Sequence, residues 1–180
     1  GKGENYKITF KDDEILIWSP SYQGAFYGIQ TLRQIVKNGY CDAEEIVDSP
    51  DYEARGFYFD ITRGRIPTLE TLKKLVGTLA YYKHNMLQLY VEHVFPFKEY
   101  DGIYQRTGYI TPDELKEIDA YCKENFIDFV LIKTRIGDSL TNRNHCCFYQ
   151  VGGKLVKLCT GKCCFKVLRT CRVGSNKGKV

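Results

Sequence analysis

Residues 53–68 read EARGFYFDITRGRIPT, and this stretch decides the fold. Its centre, Gly56 to Ile61, alternates aromatic with small or polar residues, which is typical of a β-strand. A polar loop containing Arg63 and Arg65 follows, and Pro67-Thr68 then begins a helix. A strand that runs through a polar loop into a helix is the repeating unit of a parallel α/β fold.

The same alternation continues downstream. Asn85–Val91 and Phe126–Val130 read as two further strands, and Thr111-Pro112-Asp113-Glu114 is a capping-box start for the helix between them. The order β-α-β-α-β therefore predicts parallel strands with helical crossovers. The apolar faces predicted for the two helices are Leu69, Leu72, Val76, Leu79 and Ala80 for the first, and Leu115, Ile118 and Cys122 for the second.

Upstream, a smaller unit is predicted. Tyr6–Phe10 and Ile15–Trp18 alternate across a turn and read as a hairpin. A helix is expected within residues 22–37, and Gly39 is expected to end it. The sequence thus predicts a small α/β layer closed by Ser49-Pro50. The apolar face predicted for this helix consists of Ala25, Ile29, Leu32 and Val36.

Charge and cysteine divide the chain near residue 130. Of 26 Lys and Arg and 22 Asp and Glu residues, positions 131–180 hold eleven basic residues and one acidic residue, Asp138. Six of the eight cysteines also lie there, whereas only Cys41 and Cys122 precede them. The front of the chain is therefore acidic and does not depend on disulfides, and its composition sets no redox compartment. No apolar run approaches the ~20 residues of a membrane span.

Three features of the front portion carry a resemblance to a known family. They are residues 24–34, GAFYGIQTLRQ, the strand and loop of residues 53–68, and residues 85–90, NMLQLY. From about Tyr6 to Val130 the chain resembles glycoside hydrolase family 20, the β-N-acetylhexosaminidases. The resemblance implies an α/β fold in three parts: a piece of a small α/β domain in residues 1–50, three βα units of an incomplete TIM barrel in 51–130, and an irregular, basic, Cys-rich tail in 131–180.

The family implies a specific chemistry. Its members remove terminal β-linked N-acetylglucosamine or N-acetylgalactosamine from glycans, and they need no metal or other cofactor. The acetamido oxygen of the substrate attacks the anomeric carbon, an Asp orients that acetamido group, and the adjacent Glu protonates the leaving oxygen. This Asp-Glu pair follows the fourth barrel strand. Because the resemblance ends after the third, we expect no catalytic residue in this chain and no hydrolysis by the chain alone.

The resemblance implies three candidate substrate-binding residues. Arg55 matches by position the family's Arg at the opening of the first barrel strand, and its planar fork of donors suits vicinal hydroxyls. Glu92 and His93 occupy the region after the second strand where typical members carry Asp-Asp. The alternative for Arg55 is a structural pair with an acid such as Asp60, and a structural role is equally open for His93. Without the family pattern, Arg63 and Arg65 would be interpreted as solvated loop charges.

The tail admits two explanations. Family members commonly continue with Pro-Asn-Gln-Asn-Ser, and codons for those residues read one base late give Leu-Ile-Lys-Thr-Arg, which is residues 131–135 here. We therefore hypothesise a frameshift at or just before Leu131. The competing interpretation is a genuine basic module with three disulfides or a metal site, although no cysteine pair has the two-residue spacing that zinc sites favour.

Function is predicted accordingly. The chain is expected to derive from a glycosidase whose partner is an N-acetylhexosamine-terminated glycan, with no nucleic-acid partner. The alternatives are a non-catalytic carbohydrate-binding or interaction protein, and a small basic disulfide-rich binding module in the tail, whose charge would favour phosphates or anionic membranes.

Overall fold

The computed structural model describes residues 3–39, 41–92, 94–95 and 108–133, together with the backbone of two later strands, 145–151 and 154–160. Within these residues the chain forms two sheets and three helices, which is an α/β fold. A three-stranded antiparallel sheet with one helix comes first. A five-stranded mixed sheet with two helices follows.

The first sheet has the strand order β2-β1-β3. Strands β1 (Tyr6–Phe10) and β2 (Ile15–Trp18) form the expected hairpin, with Ile8 opposite Ile17. Strand β3 (Glu45–Asp48) pairs antiparallel with the other side of β1. This third strand was not predicted, because four residues flanked by charges give too short an alternation to recognise.

Helix α1 (Tyr22–Asn38) packs on this sheet, but not through the predicted face. Ile29 and Val36 are exposed, and the buried face contains Gly24, Tyr27, Gly28 and Gln30. The prediction was wrong because it counted apolar side chains and ignored the glycines. A Cβ added at Gly28 would lie 2.7 Å from Ile17 Cγ2, so the glycine face is the one that allows α1 to approach the sheet.

The second sheet begins with three parallel strands, as expected. These are β4 (Gly56–Asp60), β5 (Met86–Val91) and β6 (Asp128–Lys133), with Gly56 opposite Met86 and Met86 opposite Asp128. Helices α2 (Leu69–Tyr81) and α3 (Pro112–Glu124) form the crossovers. Strand β6 starts two residues later than predicted, since Phe126 adopts a left-handed φ of 55° at the end of α3. It also continues past Val130 to Lys133.

Both crossover helices begin where the sequence indicated. The hydroxyl of Thr68 accepts from the backbone N–H of Thr71, which caps α2. At α3 the hydroxyl of Thr111 accepts from Glu114 N, while the Glu114 carboxylate accepts from Thr111 N at 2.8 Å. This reciprocal capping box satisfies backbone donors that the first turn would otherwise leave unpaired.

The core of the second sheet lies between the strands and the helices. The predicted faces of α2 and α3 are confirmed, except that Leu69 is only half-buried. Alternate residues of β5 also point into this core. Strand β5 therefore buries one of its two faces in this core, while the side chains of its other face are half-buried. The fully or nearly buried members include Leu72, Val76, Leu79, Leu87, Leu89, Val91, Leu115, Ile118 and Cys122.

Part of the tail is regular, which corrects the expectation of an irregular segment. The backbone of β7 (His145–Val151) pairs antiparallel with β6, and β8 (Lys154–Thr160) pairs antiparallel with β7. The physical reason is the free edge of β6, whose unpaired N–H and C=O groups template a further strand. The cysteines after Thr160 lie outside the described residues.

Candidate functional site

Polar side chains converge at the carboxyl ends of β4 and β5. Arg63, in the loop after β4, donates through Nη1 to Asp60 Oδ2 and through Nη2 to Glu92 Oε1 at 3.2 Å. Tyr90 also donates its hydroxyl to Glu92 Oε1, and its ring lies 5.4 Å from the Arg63 guanidinium carbon. One guanidinium therefore bridges two carboxylates that belong to neighbouring strands.

This convergence follows from strand topology. Parallel strands present their carboxyl ends at one edge of a sheet, so residues that follow β4 and β5 meet there although 29 positions separate Arg63 from Glu92. Asp60 also fixes the loop locally. Its Oδ1 accepts from Thr62 N at 2.8 Å and from Thr62 Oγ1 at 2.6 Å. The loop geometry is thus held before any ligand arrives.

Electrostatics keep these groups charged. Partial burial alone would raise the pKa of Asp60, but hydrogen bonds from Thr62 and Arg63 outweigh it and hold that pKa below its usual range. The bond to Asp60, with further contributions from Tyr90 and Glu92, raises the pKa of Arg63. Asp60 is therefore a carboxylate and Arg63 a guanidinium at neutral pH.

The arrangement suits recognition of hydroxyl groups. Both neighbours bind the same oxygen of Glu92, Oε1, and Oε2 accepts no hydrogen bond from the residues that the structure describes. A fixed carboxylate oxygen beside an exposed guanidinium offers an acceptor and donors to adjacent hydroxyls.

Arg55 lies at the opposite end of β4. Its side chain donates through Nε to Lys83 O at 2.8 Å and through Nη1 to Glu4 Oε2 at 2.9 Å and to Tyr52 O at 2.7 Å. Its guanidinium carbon is 5.4 Å from the ring centroid of Tyr27. The acid that pairs with Arg55 is therefore Glu4, while Asp60 pairs with Arg63.

The structure thus brings Glu92 together with Arg63 and does not bring either to Arg55. His93 lies outside the described residues. Sequence reasoning missed the roles of Asp60, Arg63 and Tyr90. The available signal was position. Asp60 ends β4, Arg63 lies three residues after it, and Tyr90 is the penultimate residue of β5, so all three lie near the end where parallel strands build sites.

Two negative findings hold for the described part of the chain. No cluster of three or more His, Cys, Asp or Glu residues there could hold a metal ion. Among the helices that the structure describes, none is long and apolar enough to cross a membrane.

Comparison with known proteins indicates the family to which part of the chain belongs. Residues 2–49 match the family described as "Glycosyl hydrolase family 20, domain 2". A Beta-hexosaminidase from Akkermansia muciniphila is 32% identical over 149 residues, which is 69% of this chain and 30% of that protein. The chain contains a segment of glycoside hydrolase family 20. Beta-hexosaminidase subunit alpha from Bos taurus is 27% identical over 138 residues, covering 68% of this chain and 26% of that protein.

Solved structures agree with this family 20 assignment. The crystal structure of a beta-N-acetylhexosaminidase superposes with a TM-score of 0.63 at 28% identity, over 71% of this chain and 32% of that chain. A GH20 Exo beta-N-Acetylglucosaminidase from Vibrio harveyi, in complex with N-acetylglucosamine, gives a TM-score of 0.62 at 20% identity, over 71% of this chain and 25% of that chain. The second match shows the fold alone. The chain spans about a quarter to a third of the length of these relatives.

Proposed function

We propose that this chain is the front part of a β-N-acetylhexosaminidase, an enzyme that removes terminal β-linked N-acetylglucosamine or N-acetylgalactosamine from glycans. The observation that carries the proposal is the 32% identity with the Akkermansia muciniphila Beta-hexosaminidase. The parallel order β4-β5-β6 with helical crossovers supports it, since a βα barrel would begin with strands in that order.

The proposal divides the chain into three parts. Residues 1–50 are part of the small α/β domain, residues 51–130 are the first three units of an eight-stranded barrel, and residues 131–180 are a foreign tail that a frameshift produced. A complete barrel needs about 250 residues. In an uninterrupted barrel a fourth parallel strand would lie beside β6, where the antiparallel strand β7 is found here.

Catalysis in the whole enzyme is substrate-assisted. The substrate's acetamido oxygen forms the bond to the anomeric carbon, and two protein carboxyl groups orient that acetamido group and protonate the departing oxygen. Both would follow the fourth barrel strand, which this chain does not share with the family. The proposal therefore assigns no catalytic residue to residues 1–180 and expects the chain to bind sugar without cleaving it.

The carboxyl ends of β4 and β5 are the proposed sugar-binding surface. Glu92 offers Oε2 to a hydroxyl, Arg63 offers guanidinium donors beside it, and His93 follows Glu92 in the chain. Arg55 as a sugar ligand stays a prediction. In its favour, Arg55 Nη2 is the one buried side-chain nitrogen or oxygen of the described residues that has no hydrogen-bond partner. Against it, its other donors are engaged at the far end of β4.

Two experiments test the proposal. The first measures nitrophenol release from p-nitrophenyl N-acetyl-β-glucosaminide by the 180-residue chain, with an Arg55→Ala chain as control. We expect no release from either; release by the parent chain above the control would contradict the absence of catalytic groups.

The second experiment sequences the coding DNA from codon 120 to well beyond the stop. An Asp-Glu segment of the family in a shifted frame is expected downstream. If the reading frame is confirmed and no such segment follows, the frameshift is wrong. Sugar binding without turnover would then support a non-catalytic carbohydrate-binding protein.

A further inference from the structure

A cavity of about 260 Å³ lies where the first sheet meets the amino ends of β4 and β5. Its walls come from β1, α1, the loop between β3 and β4, and the end of α2, and they include Tyr6, Tyr27, Asp48, Tyr52, Tyr82 and Lys83. Arg55 also lines it, but Glu92 and Arg63 do not. Pockets at junctions between structural units are common ligand sites.

Both cations that line this cavity, Lys83 and Arg55, are already paired with carboxylates. Lys83 Nζ donates to Tyr6 OH at 2.6 Å and to Asp48 Oδ2 at 2.9 Å, and Tyr6 OH donates to the same Asp48 oxygen at 2.5 Å. The second ion pair, between Arg55 and Glu4, lies in the same wall. A ligand in the cavity would contact hydrogen-bonding groups that are already held in place. Because each cation there is neutralised by a carboxylate, the cavity does not favour an anionic ligand.

Two solvent-exposed tyrosines lie at the rim of the cavity. Tyr52, in the loop before β4, is 74% exposed, and Tyr82, at the end of α2, is 64% exposed. A tyrosine ring left in water offers an apolar face and a hydroxyl together. Lys83, next to Tyr82, adopts a left-handed φ of 59° that ends α2: its backbone N–H donates to Ala80 O at 2.9 Å, and that of His84 donates to Leu79 O at 2.9 Å.

We propose that this cavity binds a neutral, polyhydroxylated ring of the size of one sugar residue. The volume is below the ~300–1,000 Å³ of sites for drug-sized ligands, which fits a single ring. The side chains of the two ion pairs, Lys83 with Asp48 and Arg55 with Glu4, form hydrogen bonds with the hydroxyl groups of the ring. The two rim tyrosines pack against its C–H faces. This cavity is separate from the proposed sugar-binding surface at Glu92 and Arg63, because it lies at the other end of the strands.

The test is an amide NMR titration of the 180-residue chain with methyl β-glucoside, which lacks the acetamido group that hexosaminidase chemistry requires. We expect resonances of Ser49, Tyr52, Tyr82 and Lys83 to shift together. Tyr52→Ala and Tyr82→Ala should each weaken the affinity by about two- to tenfold, since both rings are exposed and their removal leaves the fold intact. Tyr22→Ala is the matched control, because Tyr22 is 90% exposed on α1 and outside the cavity.

Three results would overturn the inference. They are an absence of shifts around the cavity, shifts confined to the surroundings of Glu92, and binding of sulfate to the cavity in preference to the glucoside. None of them bears on the proposed hexosaminidase origin, because the glucoside is no substrate for that reaction.

Discussion

Arg55 and Glu92 lie at opposite ends of the same pair of parallel strands. Arg55 directly precedes β4 and Glu92 directly follows β5, which is in register with β4 from Gly56 opposite Met86 to Asp60 opposite Tyr90. The five residues of β4 span about 16 Å at ~3.3 Å per residue. The two side chains therefore do not contact one monosaccharide in this arrangement, and Arg63 is the arginine that lies beside Glu92.

The first prediction concerns Arg55 as a junction residue. Its side chain is 18% exposed and that of Glu4 is 12% exposed, so loss of either partner leaves a largely buried charge. We expect Arg55→Met to lower the free energy of unfolding by about 3 kcal/mol. Urea unfolding followed by circular dichroism measures this. Arg65→Met is the control, since Arg65 is an exposed loop residue and should change stability by less than ~0.5 kcal/mol. Equal stability of the two variants would refute the junction role.

The second prediction concerns Arg63 and the sugar. Replacement of Arg63 by Lys removes the bridge between Asp60 and Glu92, because an ammonium cannot reproduce a planar fork. In a titration of the chain with N-acetylglucosamine, we expect Arg63→Lys to weaken the affinity about tenfold, or ~1.4 kcal/mol. Arg65→Lys, which changes an exposed loop residue, should leave this affinity unchanged. If Arg55→Lys weakens it and Arg63→Lys does not, the sugar lies at the amino ends of the strands instead.

Much of this fold could be read from the sequence because its signals are local. Thr111 and Glu114 are three residues apart, and their spacing specifies a capping box wherever the helix packs. Strand β5 likewise alternates over six residues. The buried face of α1 could not be read, since it depends on how closely Gly24 and Gly28 approach another element. The partnership of Arg63 with Glu92 was equally inaccessible, because it depends on the register of two strands.

The third prediction concerns pH and the Tyr6–Asp48–Lys83 cluster. Burial alone would raise the pKa of Asp48, but hydrogen bonds from Tyr6 and Lys83 lower it below its usual range. A carboxyl group whose pKa is lower in the folded state stabilises the fold above its unfolded pKa of about 3.9. That contribution is lost as the pH falls through the folded pKa.

The measurement is the difference in unfolding free energy between the parent chain and Asp48→Asn, taken from urea titrations at several pH values. We expect a constant difference at neutral pH that shrinks below pH ~4. Asp12→Asn, which changes an exposed carboxyl group outside this cluster, should give a small difference throughout. A difference for Asp48→Asn that persists undiminished at the lowest pH would contradict the assigned coupling.

At alkaline pH the same cluster predicts that stability falls as the pH rises. Burial alone would lower the pKa of Lys83, yet its bonds to Tyr6 and Asp48 raise it overall. A cation with a raised folded pKa stabilises the fold below its unfolded pKa of about 10.4, and the contribution is lost as the pH rises through the folded value. Lys83→Met should therefore reduce the dependence of stability on pH above ~10.

The last prediction concerns two helical glycines, Gly77 and Gly24. Helix propensity alone predicts the same change in stability for alanine at either position. Gly→Ala inside a helix ordinarily stabilises by up to ~1 kcal/mol. At Gly77 of α2 an added Cβ meets nothing within 4 Å, so Gly77→Ala should show this gain. At Gly24 of α1 the added Cβ would lie 2.7 Å from the backbone oxygen of Asn5 and 2.9 Å from that of Gly3. Backbone atoms cannot rotate away, and we expect Gly24→Ala to destabilise by about 1–3 kcal/mol.

Thermal and urea unfolding of the two alanine variants beside the parent chain give the comparison. Opposite signs are expected, with Gly77→Ala above the parent and Gly24→Ala below it. The result bears on the junction as well as on the helix. The segment that Gly24 faces carries Glu4, which accepts hydrogen bonds from Gln23 and Asn85 in addition to Arg55. If Gly24→Ala stabilised the chain, α1 would not pack closely against residues 3–5. The packing that positions Glu4 beside Arg55 would then be contradicted.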